Sequence, residues 1–218
     1  DDFHKSPACT LREILSRIAS TWDPHGWLSP YTIRGRMCQQ SLSVEKLGWD
    51  DVIPEKELKE WKKWEAEVTD VEKVTIPRCF RFSDATPAEV SLHIFSDSSK
   101  QAKCAVSDIR FTYLDGEVEC ALVVARSRVA PRKRMTIPRL ELDAAGMATK
   151  LATTLVEELD YHISSITFWI DSIIVLYWIH RDYVAHRIVD ITDDLRKLEE
   201  NGQTKIEVRY VPTKENVA

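Results

Sequence analysis

Apolar residues change their spacing part-way along this chain. Over the first 75 or so positions they recur every three or four residues. In "SPACTLREILSRIAST" (6–21), Leu11, Ile14, Leu15 and Ile18 fall on one helical face, and Thr10 with Glu13 has the spacing of a capping box, which predicts a helix. "WDPHGWLSP" follows as a loop, marked by its Asp-Pro, His-Gly and Ser-Pro steps. A second helix is predicted over 31–44. "LGWDDVIPEKELKEWKKWEAEV" (47–68) reads as a loop and then an amphipathic helix, with Leu58, Trp61 and Trp64 as its buried stripe. The "GWDD" within it reads as a turn with helix-capping acids.

Beyond about residue 88 the period drops to two. "AEVSLHIFSDSS" (88–99) alternates and ends at Asp97, and "KCAVSDIRFTY" and "VECALVVARS" flank "LDGE". Asp-Gly between two apolar runs predicts a hairpin, so three strands follow one another, antiparallel. "IPRLELDAAGMATKLA" (137–152) then returns to a helical period. "SSITFWIDS" (164–172) is a nearly unbroken apolar strand of the kind buried on both faces, and it runs into "IIVLYWIHRD", a helix. A helix over roughly 184–200 and a strand at "KIEVRYVP" (205–212) complete the order βββ-α-β-α-α-β. Strands in series, then strands alternating with helices, predict an α/β fold with a mixed sheet.

Composition narrows the class. With 218 residues, 44% hydrophobic content and seven tryptophans there is material for a sizeable core, and all seven tryptophans are read as core residues. A net charge of −5 argues against a free-standing, non-specific nucleic-acid binder, though not against a nucleic-acid enzyme with a local basic strip. The five cysteines are odd in number and widely spaced, with no CxxC, so neither a disulfide framework nor a zinc site is expected, and an intracellular, reducing compartment is. No leader peptide is read in "DDFHKSPACT", and "SIIVLYWI" is too short to span a bilayer.

Three acids occupy special positions. Asp97 and Asp171 end apolar strands, and Glu141 is expected in the first turn of the long helix after Pro138. Each has an ordinary explanation when taken singly: Asp is a favoured helix cap, and an acid in a first helical turn complements the helix dipole. Taken together, adjacent strands crossed by that helix would bring the three carboxylates together, and such a cluster is tolerable only with a cation. Hard oxygen donors without His or Cys suit Mg²⁺ or Mn²⁺, and two such ions about 4 Å apart can activate water and stabilise a leaving oxygen in phosphodiester cleavage. Asp143, two residues from Glu141, reads as solvated or salt-bridged, and His180 and His186 as surface or packing residues.

The strings "HIFSDSS", "SRVAPRKRMTIPRLELDAA", "FWIDSIIVLYWI" and "YVPTKEN" resemble the ribonuclease H domain of BEL/Pao-class retrotransposon polyproteins. "LSRIASTWDPHGWLSPYTIRGRMCQQ" and "KLGWDD" are similar to the segment between the reverse transcriptase palm and that domain. The resemblance implies a helical connection or thumb-like region over 1–80 and, over 81–218, an RNase H-like five-stranded mixed sheet with helices on both faces. It implies metal-dependent hydrolysis of the RNA strand of RNA–DNA hybrids, with Asp97, Glu141 and Asp171 as catalytic metal ligands. The family pattern continues past the last strand with Asn, one residue, Ala and a fourth catalytic Asp carried on a helix. This chain reads Asn216, Val217, Ala218, so that acid and its helix are missing from it. Cys104 and Ser107-Asp108 also stand where the resemblance leads us to expect a glycine and a bulky apolar residue.

No acid lies between Glu119 and Glu141, an interval that holds Arg126, Arg128, Arg132, Lys133, Arg134 and Arg139. This strip is expected to grip phosphates, against the alternative of a solvated loop. Ser98, Ser99 and Ser172 adjoin the acids and are candidates for contact with the RNA backbone or 2′-hydroxyl. Two readings stand. One is an RNase H-type endoribonuclease acting on hybrids with divalent metal. The other is a domesticated, RNase H-like scaffold with weakened or lost catalysis and a protein partner.

Overall fold

The computed structural model describes residues 10–43, 47–180, 186–200 and 204–218. The chain divides into two compact units, Asp1–Ile76 and Pro77–Ala218.

The first unit is helical: α1 (Leu11–Ser20), α2 (Ser29–Leu42), α3 (Glu55–Ala66) and the single turn α4 (Val68–Val71). α1 starts where the sequence says it should. Thr10 accepts the backbone N–H of Glu13 while the Glu13 side chain accepts the N–H of Thr10, so two orphan donors of the helix end are satisfied at once. Ile14, Ile18, Tyr31, Leu42, Trp61 and Trp64 form the core. The Trp64 indole N–H donates to the Tyr31 carbonyl at 2.7 Å, which satisfies a polar group that burial would otherwise penalise. Not every tryptophan is core: Trp61 and Trp64 are buried, whereas Trp22 is 86% and Trp49 52% exposed. The difference is positional. Trp61 and Trp64 lie three apart on the apolar stripe of α3, while Trp22 and Trp49 sit in loops. The "GWDD" acids do not cap a helix either. Asp51 closes its own turn by accepting the Gly48 N–H at 2.7 Å, and Asp50 pairs with Arg12.

The second unit is built on one sheet. Its strands are β1 (Glu89–Ser98), β2 (Ala102–Thr112), β3 (Val118–Val129), β4 (Ser165–Ile170) and β5 (Lys205–Tyr210), in spatial order β3-β2-β1-β4-β5. The first three form an antiparallel meander, and β4 and β5 add in parallel beside β1. The Asp115-Gly116 turn closes the β2–β3 hairpin, with Gly116 at φ 89°, a conformation that favours glycine. The helices α5 (Ile137–Glu158), α6 (Ile173–His180) and α7 (His186–Glu200) connect the parallel strands. This is the predicted α/β mixed sheet in the predicted order.

One face of the sheet carries the core. Leu92, Ile94, Ile109, Phe111, Ile166 and Phe168 pack against Ala148, Leu151, Ala152 and Leu155 of α5 and Leu198 of α7. Val175 of α6 joins Leu142, Ala145, Ile170 and Ile191 in a smaller cluster beside it. Helices on both faces are implied by the resemblance; α5, α6 and α7 are gathered by these clusters on one. At the alternate positions of β1 and β4, His93 and Phe95 each stack on Trp169, and Arg209 lies over the Trp169 ring.

Phe111 is fully buried at the centre of this packing. Phe111→Ala is expected to destabilise the second unit by about 3–5 kcal/mol through lost transfer energy and an unfilled cavity, measured as a lowered denaturant midpoint at unchanged slope.

Candidate active site

The parallel pairing of β1 with β4 sets the site. Ser96 lies opposite Ile170, so the next residue on each strand, Asp97 and Asp171, leaves the same end of two neighbouring strands. Adjacent strands run about 4.8 Å apart, which makes the two carboxylates neighbours. α5 crosses β1 and delivers Glu141 to the same end.

None of the three acids has the ordinary role that would explain it alone. Asp97 is inside β1 and precedes no helix. Asp171 precedes α6, but the cap is Ser172: its carbonyl accepts the Leu176 N–H and its hydroxyl accepts the Val175 N–H at 3.3 Å. Glu141 is the fifth residue of α5, beyond the first turn, where the helix dipole has largely faded.

The electrostatics link them. Burial pushes the Asp97 carboxyl above the usual carboxylate range; Asp171 adds to the rise and Glu141 adds less, while the Ser98 N–H opposes it. That N–H donates to Asp97 Oδ1 at 2.6 Å. The Ser172 hydroxyl donates to Glu141 Oε2 at 2.5 Å. Among the described residues no ion pair engages Asp97, Glu141 or Asp171. The hydroxyl oxygen of Ser98, beside Asp97, is buried without a hydrogen-bond partner.

The donor set fits a hard divalent cation: carboxylate oxygens, mutual repulsion felt at Asp97, and an orphaned hydroxyl next to it. The arrangement is looser than a ligand shell. Among the described residues no three His, Cys, Asp or Glu side chains stand together closely enough to hold an ion. Repulsion and ligation act over different ranges, since repulsion between carboxylates extends well past the roughly 2.0–2.6 Å of metal–oxygen bonds. At Asp97 the repulsion from Asp171 is larger than that from Glu141.

Cys104 faces Asp97 directly across the β1–β2 ladder. Its thiol donates to the Asp97 carbonyl at 3.7 Å and is pushed up to about 11, first by burial and then by Asp97. It is therefore a protonated thiol at neutral pH.

The basic residues divide. Arg126 and Arg128, near the end of β3, line a groove of about 460 Å³ with Lys103, Lys150, Asp143 and Asp194. Neither Asp97, Glu141 nor Asp171 lines that groove. Arg132, Lys133 and Arg134 are exposed in the loop between β3 and α5, and Arg139 is exposed on the first turn of α5. Asp143 is salt-bridged: Lys103 meets it, with 13% and 21% of the two side chains exposed. Ser99 is exposed and turns back on the Ala102 carbonyl at 3.2 Å. The side chains of His180 and His186 lie outside the described residues.

Sequence reasoning missed the commitment of Ser172 to Glu141. It also missed Glu119, whose carboxylate accepts the Phe82 and Ser83 N–H groups and the Tyr113 hydroxyl. Except for the Tyr113 hydroxyl, six residues from Glu119, these partners are more than 30 residues apart in the chain, and no local pattern announces them.

A family model described as the Pao retrotransposon-like RNaseH-like domain matches residues 10–172. The chain belongs to this family. The match begins in the helical unit and runs through the strand end that carries Asp171, so the Pao RNaseH-like domain takes in all three acids. No curated protein matches the chain. Among solved structures, RNase H1 from the archaeon Halobacterium salinarum is 17% identical at a TM-score of 0.35, covering 58% of this chain and 88% of its own. An LC11-RNase H1 in complex with an RNA/DNA hybrid is 10% identical at a TM-score of 0.37, covering 59% and 89%. The membership of the Pao domain rests on the family match and the sheet topology.

A raised Asp97 favours the folded state when protonated, because the folded protein then binds more protons than the unfolded chain. Its contribution to stability is lost as pH rises through the raised value. Asp97→Asn is therefore expected to raise the thermal midpoint at pH 7 without divalent ions, and the gain is expected to vanish below the ordinary aspartate range, near pH 3. Melting curves from pH 3 to pH 8 check this.

Proposed function

We propose that this domain is an RNase H-type endoribonuclease that hydrolyses the RNA strand of RNA–DNA hybrids. The observation that carries the reading is the electrostatic linkage of Asp97, Asp171 and Glu141 at one end of the sheet, in a chain of the Pao RNaseH-like family. Asp97, Glu141 and Asp171 are the catalytic residues and would hold Mg²⁺ or Mn²⁺. Divalent ions there supply Lewis acidity and a water of lowered pKa. The chain's own residues do the rest. The carboxylates present acceptor-only oxygens, and the Ser98 N–H orients Asp97. Arg132, Lys133, Arg134 and Arg139 grip backbone phosphates on the exposed loop and helix start, with Arg126 and Arg128 further along β3. Ser98, next to Asp97, is read as a contact for the RNA strand. The helical region over 1–80 is read as connection-type. Cys38, Cys79, Cys104 and Cys120 are free thiols, which supports a reducing intracellular setting. Among the described residues no helix is long and apolar enough to cross a membrane.

A second reading, a domesticated RNase H-like scaffold that binds a protein partner with catalysis weakened or lost, draws on two observations. The carboxylates do not stand as a closed ligand group, and the Cys104 side chain faces Asp97.

Cleavage of a labelled hybrid separates the two. The enzyme reading expects Mg²⁺- or Mn²⁺-dependent products that disappear in the Asp97→Asn, Asp171→Asn double variant; wild-type protein no better than that variant overturns it. Replacing Arg132, Lys133 and Arg134 together by Ala is expected to weaken hybrid binding and to lower the slope of log K against log salt by roughly one for each phosphate that is no longer neutralised. Polarisation titrations across a salt series measure both.

A further inference from the structure

We propose that Ser172 is a positioning residue that sets the carboxylate of Glu141 in the acid cluster; the proposal rests on the metal-site reading above. Ser172 is 6% exposed and lies between the end of β4 and the start of α6. Its single hydroxyl is used twice. It accepts the Val175 N–H at 3.3 Å, which caps α6, and it donates its own proton to Glu141 Oε2 at 2.5 Å. The first contact fixes where the oxygen sits. With that oxygen pinned to the helix end, the hydroxyl proton points in a fixed direction, and Glu141 is what it meets.

Glu141 needs such a restraint more than its neighbours do. Asp97 has a short side chain whose Oδ1 is held by the adjacent Ser98 N–H, and the register of two paired strands places Asp97 and Asp171. Glu141 comes from a helix, has one more rotatable bond than an aspartate, and is the member that raises Asp97 least. Ser172 ties it to the strand end that carries Asp171. One Glu141 oxygen is held by the hydroxyl, which leaves the other for a cation. A hydroxyl donating to a ligating carboxylate is the kind of supporting contact whose loss typically lowers metal affinity 10–100-fold. The same geometry commits the only proton of the Ser172 hydroxyl to Glu141, which leaves it no donor for a substrate.

The cap and the positioning role come apart by substitution. Glycine is nearly as good a cap as serine but has no hydroxyl, whereas threonine keeps both functions. We expect Ser172→Gly and Ser172→Ala to weaken Mn²⁺ binding about 10–100-fold by calorimetry, and Ser172→Thr to stay within about threefold of wild type. Ser172→Gly is expected to melt close to wild type in the absence of metal, so that the loss of affinity is not a loss of folding. Ser172→Gly or Ser172→Ala binding Mn²⁺ as tightly as wild type, while Glu141→Gln loses the ion, overturns the positioning role and leaves the metal site standing. Wild-type protein that binds no Mn²⁺, unchanged by Glu141→Gln, overturns both.

Discussion

The parallel register of β1 and β4 is the constraint on which the rest depends. With Ser96 opposite Ile170, the chain has no choice but to release Asp97 and Asp171 side by side. A slip of one residue would turn one of them to the other face of the sheet. The register is held by burial. Leu92, Ile94, Ile166 and Phe168 all pack on the α5 side, and a slip of one residue would turn one strand's pair away from it. Hydrophobic packing on one face thus imposes an electrostatic liability at the strand ends, and Asp97 records it as a carboxyl raised by burial and by its neighbours. A liability of this kind is characteristic of functional sites, where groups are held in environments that stability alone would not select.

The other elements serve that strand end. α5 crosses the sheet and brings Glu141 to it, and Ser172 joins Glu141 to the end of β4. Lys103 of β2 pairs with Asp143 of α5 in a largely enclosed contact, which ties the helix to the central strands two residues past Glu141. The net charge of −5 does not conflict with nucleic-acid binding, because six basic residues and no acid lie between Arg126 and Arg139, up to the first turn of the helix that carries Glu141. Charge in a restricted patch, rather than charge summed over the chain, governs attraction to a polyanion at physiological salt.

The fold was legible because its signals are local. Alternation marked β1 to β3, Asp115-Gly116 marked the hairpin, and Thr10 with Glu13 marked the start of α1. Asp97 and Asp171 could be picked out because polar residues at the ends of apolar runs break a pattern, and Glu141 because it falls among the apolar residues of a helix. What could not be read depends on tertiary distance. Tryptophans look alike in a sequence, yet Trp61 is buried and Trp22 is open to solvent. Asp171 and Ser172 are equally good caps on paper, and only the structure shows that Ser172 takes that role and holds Glu141 as well. Nor does periodicity reveal that His93, Phe95 and Trp169 stack together on the face opposite α5.

The central claim is that Asp97, Glu141 and Asp171 together form a divalent-metal site. Anomalous diffraction from crystals soaked in Mn²⁺ tests it most directly. Anomalous density is expected with carboxylate oxygens of all three residues at roughly 2.0–2.3 Å. Manganese bound only elsewhere, or an acid cluster that stays free of it at saturating concentration, would contradict the account.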